Sequence, residues 1–321
     1  MTRFLPSLAL LCAAVAGTTA AAPAAPAASA AESGRKVTLW HWNVAGHFLH
    51  KGSTDTGLPE AAVASIAEAD ADFASFNELC RGQYDAILTG LRAAGWTEQP
   101  DDFGRFAASR GAGGETCGGD AYGNAVFSKA GIASAERITL PRDGSAEKRN
   151  MVCGTAPDGT SLCSAHLTVS DDLIDGRFAN IRQLERAFDV VDELNETGGP
   201  AFLAGDLNVQ PHFGRMERYY SPVIDTEFNS HNHGRYHDLD HGGDARPGYG
   251  SGTYTGPAPD APPGGGKAKL DYLLVREDHL AGARAHSAEA LAIPAGCSHD
   301  NAEYASRCSD HRAITGTVRV M

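Results

Sequence analysis

The chain has 321 residues, a formal net charge of -13 and 42% hydrophobic residues, an ordinary composition for a folded protein. A surface this acidic repels nucleic acid at long range, which argues against tight DNA binding but not against transient cleavage with a divalent metal screening the site. Beyond the N-terminus no run of eighteen apolar residues occurs, so no transmembrane segment is expected in the mature chain.

The N-terminus reads as a secretory signal. Arg3 supplies the positive charge, Phe4 to Val15 the apolar stretch, and Thr18-Thr19-Ala20 or Ala28-Ser29-Ala30 a small-residue cleavage site. The apolar stretch is too short for a membrane anchor, and Cys12 lacks the small residues that precede a lipid-modified cysteine. The expected organisation is a signal peptide over 1–30, a disordered tail over 31–36 and one domain over 37–321. The mature protein is expected to be secreted and monomeric, with no stable protein partner. Six cysteines remain: Cys80, Cys117, Cys153, Cys163, Cys297 and Cys308. An even count in an exported chain points to disulfides, and no C-x-x-C is present to favour zinc. Six cysteines allow fifteen pairings. Pairing of neighbours (Cys80–Cys117, Cys153–Cys163, Cys297–Cys308) is the expectation among them, since each closes a short to moderate loop.

Val37 to Val44 is rich in β-formers and reads as the first strand, with Asn43 near its end. A loop over 46–57 follows. Leu58, Ala62, Ile66 and Ala69 then recur at helical spacing with Pro59 in the first turn. Asp72 to Glu78 is a second strand ending on a carboxylate. Tyr84, Ile87, Leu88 and Leu91 mark a second amphipathic helix, stopped at Gly95. Five short β-biased segments come next: 103–109, 123–128, 132–140, 148–155 and 161–169. Asp158-Gly159 between the last two is a hairpin signal that sets Cys153 opposite Cys163. Phe178, Ile181, Leu184, Phe188 and Val191 form the longest helix face. The run 200–204 is short, apolar and bounded by turn residues, so it reads as a buried strand leading into Gly205-Asp206-Leu207-Asn208. Asp206 and Asn208, two apart on an extended chain, are expected to face one reaction centre. From 211 to 269 the pattern is lost, and such a loop is functional or disordered. It holds His212, His231, His233, His237 and His241. H-x-H followed by histidines at four-residue steps could bind a second metal; a solvated Gly/His loop is the plainer reading. Leu270 to Val275 returns as a buried strand, Ser309-Asp310-His311 follows, and Ala313 to Val320 is the last strand.

The polar residues at strand ends are Asn43, Glu78, His166, Asp206, Asn208, Asp271, Asp310 and His311. Four carboxylates, two amides and two imidazoles supply what phosphate ester cleavage needs: a seat for a hard cation, an orienter or base for water, and donors for developing charge. Strand-rich segments with helices between them suggest two packed mixed β-sheets flanked by helices, a four-layer α/β/β/α sandwich.

In order along the chain, Trp42-Asn43-Val44, Asn77-Glu78-Leu79, the 123–128 segment GNAVFS, Ala165-His166-Leu167, the Arg177 to Gln183 helix, Gly205 to Asn208, Leu270 to Val275 and Ser309 to His311 resemble the endonuclease/exonuclease/phosphatase superfamily, the deoxyribonuclease-I-like fold. The resemblance covers most of the mature chain. It implies Mg²⁺ (or Mn²⁺ or Ca²⁺) held by Glu78 with Asn43 and Asp310. It also implies water activation by Asp206, placement of water and phosphate by Asn208, and contact of the scissile phosphate by His311, which Asp271 holds, and by His166. Tyr122 and Asn124 could line the site. Two departures stand out. Asn77 occupies the position where the family usually carries Gln. No carboxylate is evident behind His166, Glu115 and Asp120 being the possibilities, which leaves its role as an acid open. Lys267 and Lys269 could meet a phosphate or simply flank a solvated edge. The implied activity is a secreted, metal-dependent phosphodiesterase, first of all an endonuclease on DNA. The alternatives are a phospholipase C- or sphingomyelinase-like enzyme, for which no apolar hairpin is legible in the loops, and a small-molecule phosphatase.

Overall fold

In a computed structural model the described residues are 34–96, 100–169, 172–242, 246–257, 260, 262–282 and 285–321. The expected signal peptide and the start of the expected tail lie outside them. The tail does not reach residue 36, because Arg35 and Lys36 already pair with Val320 and Arg319.

The strands are β1 (Arg35–Asn43), β2 (Phe73–Cys80), β3 (Gly104–Arg110), β4 (Tyr122–Ser128), β5 (Ser134–Thr139), β6 (Asn150–Thr155), β7 (Ser161–His166), β8 (Leu173–Ile174), β9 (Arg177–Phe178), β10 (Ala201–Asp206), β11 (Tyr236–Asp238), β12 (Asp271–Arg276), β13 (His286–Ala290) and β14 (Ile314–Val320). The helices are α1 (Leu58–Glu68), α2 (Arg81–Ala93), the short α3 (Pro100–Phe103) and α4 (Ala179–Thr197). One sheet runs β13-β14-β1-β2-β4-β3 and the other β11-β12-β10-β7-β6-β5. Each is mixed, with a single parallel pair at its centre, β1 with β2 and β10 with β7. The sequence pattern missed β11, β13 and the β8–β9 hairpin. All are five residues or fewer, too short to show a period.

Strand alternation builds three apolar layers. In β1, Trp40 and Trp42 pack outward with Leu58, Ile66, Ile87 and Leu91 of the first two helices. Val37 and Leu39 point the other way, against Phe202, Leu273 and Val275 of the facing sheet. Beyond that facing sheet, Leu203 and Leu274 meet Leu184, Phe188 and Val191 of α4. The fold is thus the expected four-layer sandwich.

The middle layer changes character along the strands. Val37 and Leu39 give way to His41 and Asn43, Phe73 to Ser75 and Asn77, Leu162 to Ser164 and His166, Phe202 and Ala204 to Asp206, and Val275 and Leu273 to Asp271. The inner faces of five strands therefore end in polar groups at the same end of the sandwich. That end is the candidate site.

Three disulfides join Cys80 to Cys117, Cys153 to Cys163 and Cys297 to Cys308, the neighbour pairing. Cys153 and Cys163 are direct cross-strand partners in the β6–β7 hairpin. The 211–269 stretch is not a solvated loop throughout: Tyr220 and Tyr249 within it are fully buried, and β11 edges the second sheet. Lys269 meets neither phosphate nor solvent. It is fully buried, with its ammonium 2.9 Å from Asp240 and 3.2 Å from Asp238. Among the described residues no helix is long and apolar enough to cross a membrane.

Candidate active site

Asp206 is the hub. It ends β10 opposite His166 on one side and Asp271 on the other. The glycine before it is required: at φ 151° a Cβ on Gly205 would sit 1.9 Å from the Ala165 carbonyl oxygen, so only glycine lets β10 lie against β7 here. Asp206 Oδ2 accepts from Asn43 Nδ2 at 3.0 Å, and Oδ1 accepts from the Asn208 backbone N–H at 3.0 Å. Asn43 Nδ2 also donates to Glu78 Oε1 at 3.1 Å, while its Oδ1 accepts from the Ala45 N–H. One amide thus ties the two carboxylates together.

Asn208 reaches the site differently from the expectation. It is not extended but left-handed, at φ 50°, and its Nδ2 donates to the Leu167 carbonyl. A turn, not strand alternation, sets it beside Asp206.

His311 Nε2 lies 3.7 Å from Asp206 Oδ2, and His166 Nε2 lies 3.9 Å from the same oxygen and 4.0 Å from Glu78. The two imidazoles differ in charge. Burial pulls His311 down, but Asp271, with Nδ1 to Oδ2 at 2.7 Å, and then Asp206 outweigh it, and its pKa is pushed up to about 10. Burial holds His166 well below the usual imidazole range, and the positive charge of Arg149 adds to that. Neither Asp120 nor Glu115 stands behind it: Asp120 accepts from Gly82 and Ala121, and Glu115 is exposed. Burial, reinforced by Asp271, raises the Asp206 carboxyl to about 7. Asp271 is held far below the usual carboxylate range despite its burial, because His311 and His41 face it.

Asn77, the departure from the family pattern, is wholly buried. Its Oδ1 accepts the Asp206 N–H at 2.7 Å, and its Nδ2 donates to Asn124 and Ser164. It links the two sheets behind the site and is not among the residues that line the cavity over it, so the shorter amide suffices. Asn124 belongs to that internal network, whereas Tyr122 lines the cavity.

The cavity over these groups, about 560 Å³, is lined by Glu78, His166, Asp206, Asn208, Asp310 and His311, but also by Arg149, Arg215 and Tyr254. The sequence reading missed both arginines. Arg149 lies 3.6 Å from Asp143 and 3.4 Å from Glu147, and its Nε and Nη1 have no hydrogen-bond partner among the described residues. The one signal was a basic pair, Lys148-Arg149, opening a strand in an acidic chain.

Over residues 40–311 the sequence matches the Endonuclease/Exonuclease/phosphatase family, and the chain belongs to that family. It is accordingly a metal-dependent phosphoric ester hydrolase. No curated protein matches the sequence. Solved structures share the fold at low identity. An endonuclease/exonuclease/phosphatase from Beutenbergia cavernae is 18% identical with a TM-score of 0.54, over 89% of this chain and 72% of that one. A mannosyl-6-phosphatase from Bacteroides thetaiotaomicron is 13% identical with a TM-score of 0.55, over 89% and 99%. The catalytic domain of human nocturnin, with bound sulfate, is 12% identical with a TM-score of 0.55, over 89% and 94%.

The residues present fit the divalent ion of the family. Glu78 and Asp310 line one cavity; burial raises both carboxyls, and the charge of Asp310 raises Glu78 further, a repulsion that a cation would cancel. Hard oxygens of this kind suit Mg²⁺, Mn²⁺ or Ca²⁺.

Proposed function

We propose that this chain is an exported phosphodiesterase that cleaves its substrate by attack of water on phosphorus, with DNA the first substrate class. The observation that carries the reading is the convergence of a cationic and a neutral imidazole, His311 and His166, on Asp206 Oδ2. Glu78 and Asp310, with Asn43 between Glu78 and Asp206, would hold the ion, which supplies Lewis-acid stabilisation of charge on the phosphoryl oxygens when bound. Asp206, poised near neutrality, orients water and takes its proton. Asn208, braced on Leu167, positions water and phosphate. His311, charged, pairs with the phosphate oxygens and can return a proton to the leaving oxygen. His166, neutral, contacts the phosphate but is a poor source of that proton. Three disulfides and the Ala-rich leader support export.

A second reading, hydrolysis of a lipid phosphodiester, is favoured by one observation. Val169, Leu173 and Phe178 are 70%, 62% and 38% exposed. Val169 lines the cavity, and Arg215, which also lines it, lies over the Phe178 ring. The β8–β9 hairpin thus gives the mouth an apolar rim that the sequence reading did not find.

A substrate panel with Mg²⁺, Mn²⁺, Ca²⁺ and EDTA separates them. EDTA-sensitive nicking of plasmid is expected on the first reading. Release of phosphorylated headgroups from vesicles with plasmid left intact, and loss of that release in Val169→Ser/Leu173→Ser, would replace it by the second. Turnover of small phosphomonoesters alone would defeat both.

A further inference from the structure

His237, His241 and His286 come together at the far end of the sandwich from the catalytic cavity. His237 stands in β11, the edge strand of one sheet, opposite Val275. His286 opens β13, the edge strand of the other, opposite Val318. His241 lies in the turn after β11. Val275 is four residues along β12 from Asp271, roughly 13 Å at strand rise. Val37, the β1 partner of Val318, is six residues from Asn43, roughly 20 Å.

The ring centroids are 5.7 Å apart for His237 and His241, 5.8 Å for His237 and His286, and 5.0 Å for His241 and His286. One ring nitrogen from each lies within 4.8 Å of the others. His237 is 1% exposed, yet neither of its nitrogens has a hydrogen-bond partner among the described residues, and the same holds for His286 Nδ1. Such orphaned donors and acceptors are rare in buried positions and call for an explanation. His241 Nδ1–H donates to the Asp238 carbonyl at 2.6 Å, which leaves the Nε2 lone pair free to coordinate. Glu277 Oε2 lies 4.0 Å from His237 Nε2, a carboxylate at the cluster's margin. Edge-to-face ring packing satisfies none of these nitrogens.

We propose that His237, His241 and His286 form a second metal site, for one divalent transition ion of the zinc type, that pins the edges of the two sheets to each other. Three neutral imidazoles suit zinc and its neighbours, whereas the oxygen-rich catalytic cavity suits magnesium, so ligand chemistry sorts two ions within one chain. Tetrahedral bonds of about 2.0–2.1 Å place ligand atoms about 3.3–3.5 Å apart, a small closure of the present cluster. Water or Glu277 completes the fourth position. The H-x-H pair of the sequence is not involved: His231 and His233 are exposed, and the third ligand comes from 45 residues further on, at His286.

The test uses the full chain without a histidine tag, kept in excess Mg²⁺ and titrated with Zn²⁺. Metal content by mass spectrometry, the melting temperature and the visible spectrum of the Co²⁺-loaded protein are read together. One tight zinc equivalent, a higher melting temperature with zinc, and the intense absorption of tetrahedral Co²⁺ are expected. His286→Ala should lose all three while keeping Mg²⁺-dependent phosphoester hydrolysis, and His231→Ala/His233→Ala should keep all three. Absence of the zinc equivalent from the wild type, or its survival in His286→Ala, overturns the proposal. Should His286→Ala not fold, His241→Ala, in a half-buried turn, decides in the same way.

Discussion

The hydrogen bond from His311 Nδ1 to Asp271 Oδ2, 2.7 Å long, crosses from one sheet of the sandwich to the other. Asp271 opens β12, His311 lies three residues before β14, and the carboxylate has no exposed surface. His41 faces its other oxygen at 3.4 Å and is itself braced by Ser75. A buried carboxylate beside Nδ1 fixes the orientation of the His311 ring and keeps it charged.

Asp271→Asn removes that support and leaves the fold's apolar layers untouched. His311 should then lose its charge near neutral pH, and kcat should fall by about 10²–10⁴. Steady-state kinetics with a circular-dichroism melt checks this. A mild loss would reduce Asp271 to a structural role.

The pH profile carries the signs of two shifts. Asp206, raised to about 7, must be ionised to accept a proton, so activity should rise through neutrality. His311, raised to about 10, must be charged, so activity should fall again toward pH 10. Stability follows the same group. A histidine raised from its usual 6.5 to about 10 contributes fully below 6.5 and loses that contribution as pH climbs through 10. The melting temperature should therefore drop between pH 7 and 10, and His311→Asn should flatten that drop.

Glu78→Gln keeps the shape and the Asn43 contact but removes the charge. Metal-dependent hydrolysis should be lost with the melting temperature nearly unchanged. EDTA-sensitive activity surviving in the variant would remove Glu78 from the metal.

Arg149, absent from the sequence reading, lines the cavity with His166 and Glu147, and its Nε and Nη1, 3.6 Å from Asp143 and 3.4 Å from Glu147, make no hydrogen bond among the described residues. Arg149→Ala should lower kcat/KM at least about tenfold, and Arg149→Lys should restore little, because a point charge does not replace a planar fork. An unchanged kcat/KM would assign Arg149 to the wall of the cavity only.

The disulfides should differ in worth. Cys80–Cys117 closes 37 residues and the other two close 10 and 11. Loop entropy makes its removal costlier by about 1 kcal/mol, on a base of about 2–5 kcal/mol each. Urea melts of the three double Cys→Ala variants measure the order. Cys80 also follows the Glu78 turn, so its loss should depress activity where loss of Cys153–Cys163 does not.

Local pattern was enough for the long elements and for naming the eight polar residues at or next to strand ends, because alternation and helical spacing are local and a strand end is where a buried chain turns polar. The neighbour pairing of the cysteines was one expectation among fifteen pairings, and the structure decided it. Local pattern could not show β11, β13 or the β8–β9 hairpin, whose few residues carry no period. Nor could it show that Asn208 arrives by a left-handed turn, that Lys269 is locked between Asp238 and Asp240, or that Arg149 and Arg215 enter the cavity. The histidines make the same point. Spacing drew His231, His233, His237 and His241 into one pattern, but the packing of two sheet edges chose His237 and His241 and brought in His286. Charge state belongs to tertiary structure for the same reason: His166 and His311 are the same residue type in the same site, but carboxylates, Asp271 first and then Asp206, outweigh burial at His311, while burial and Arg149 hold His166 neutral.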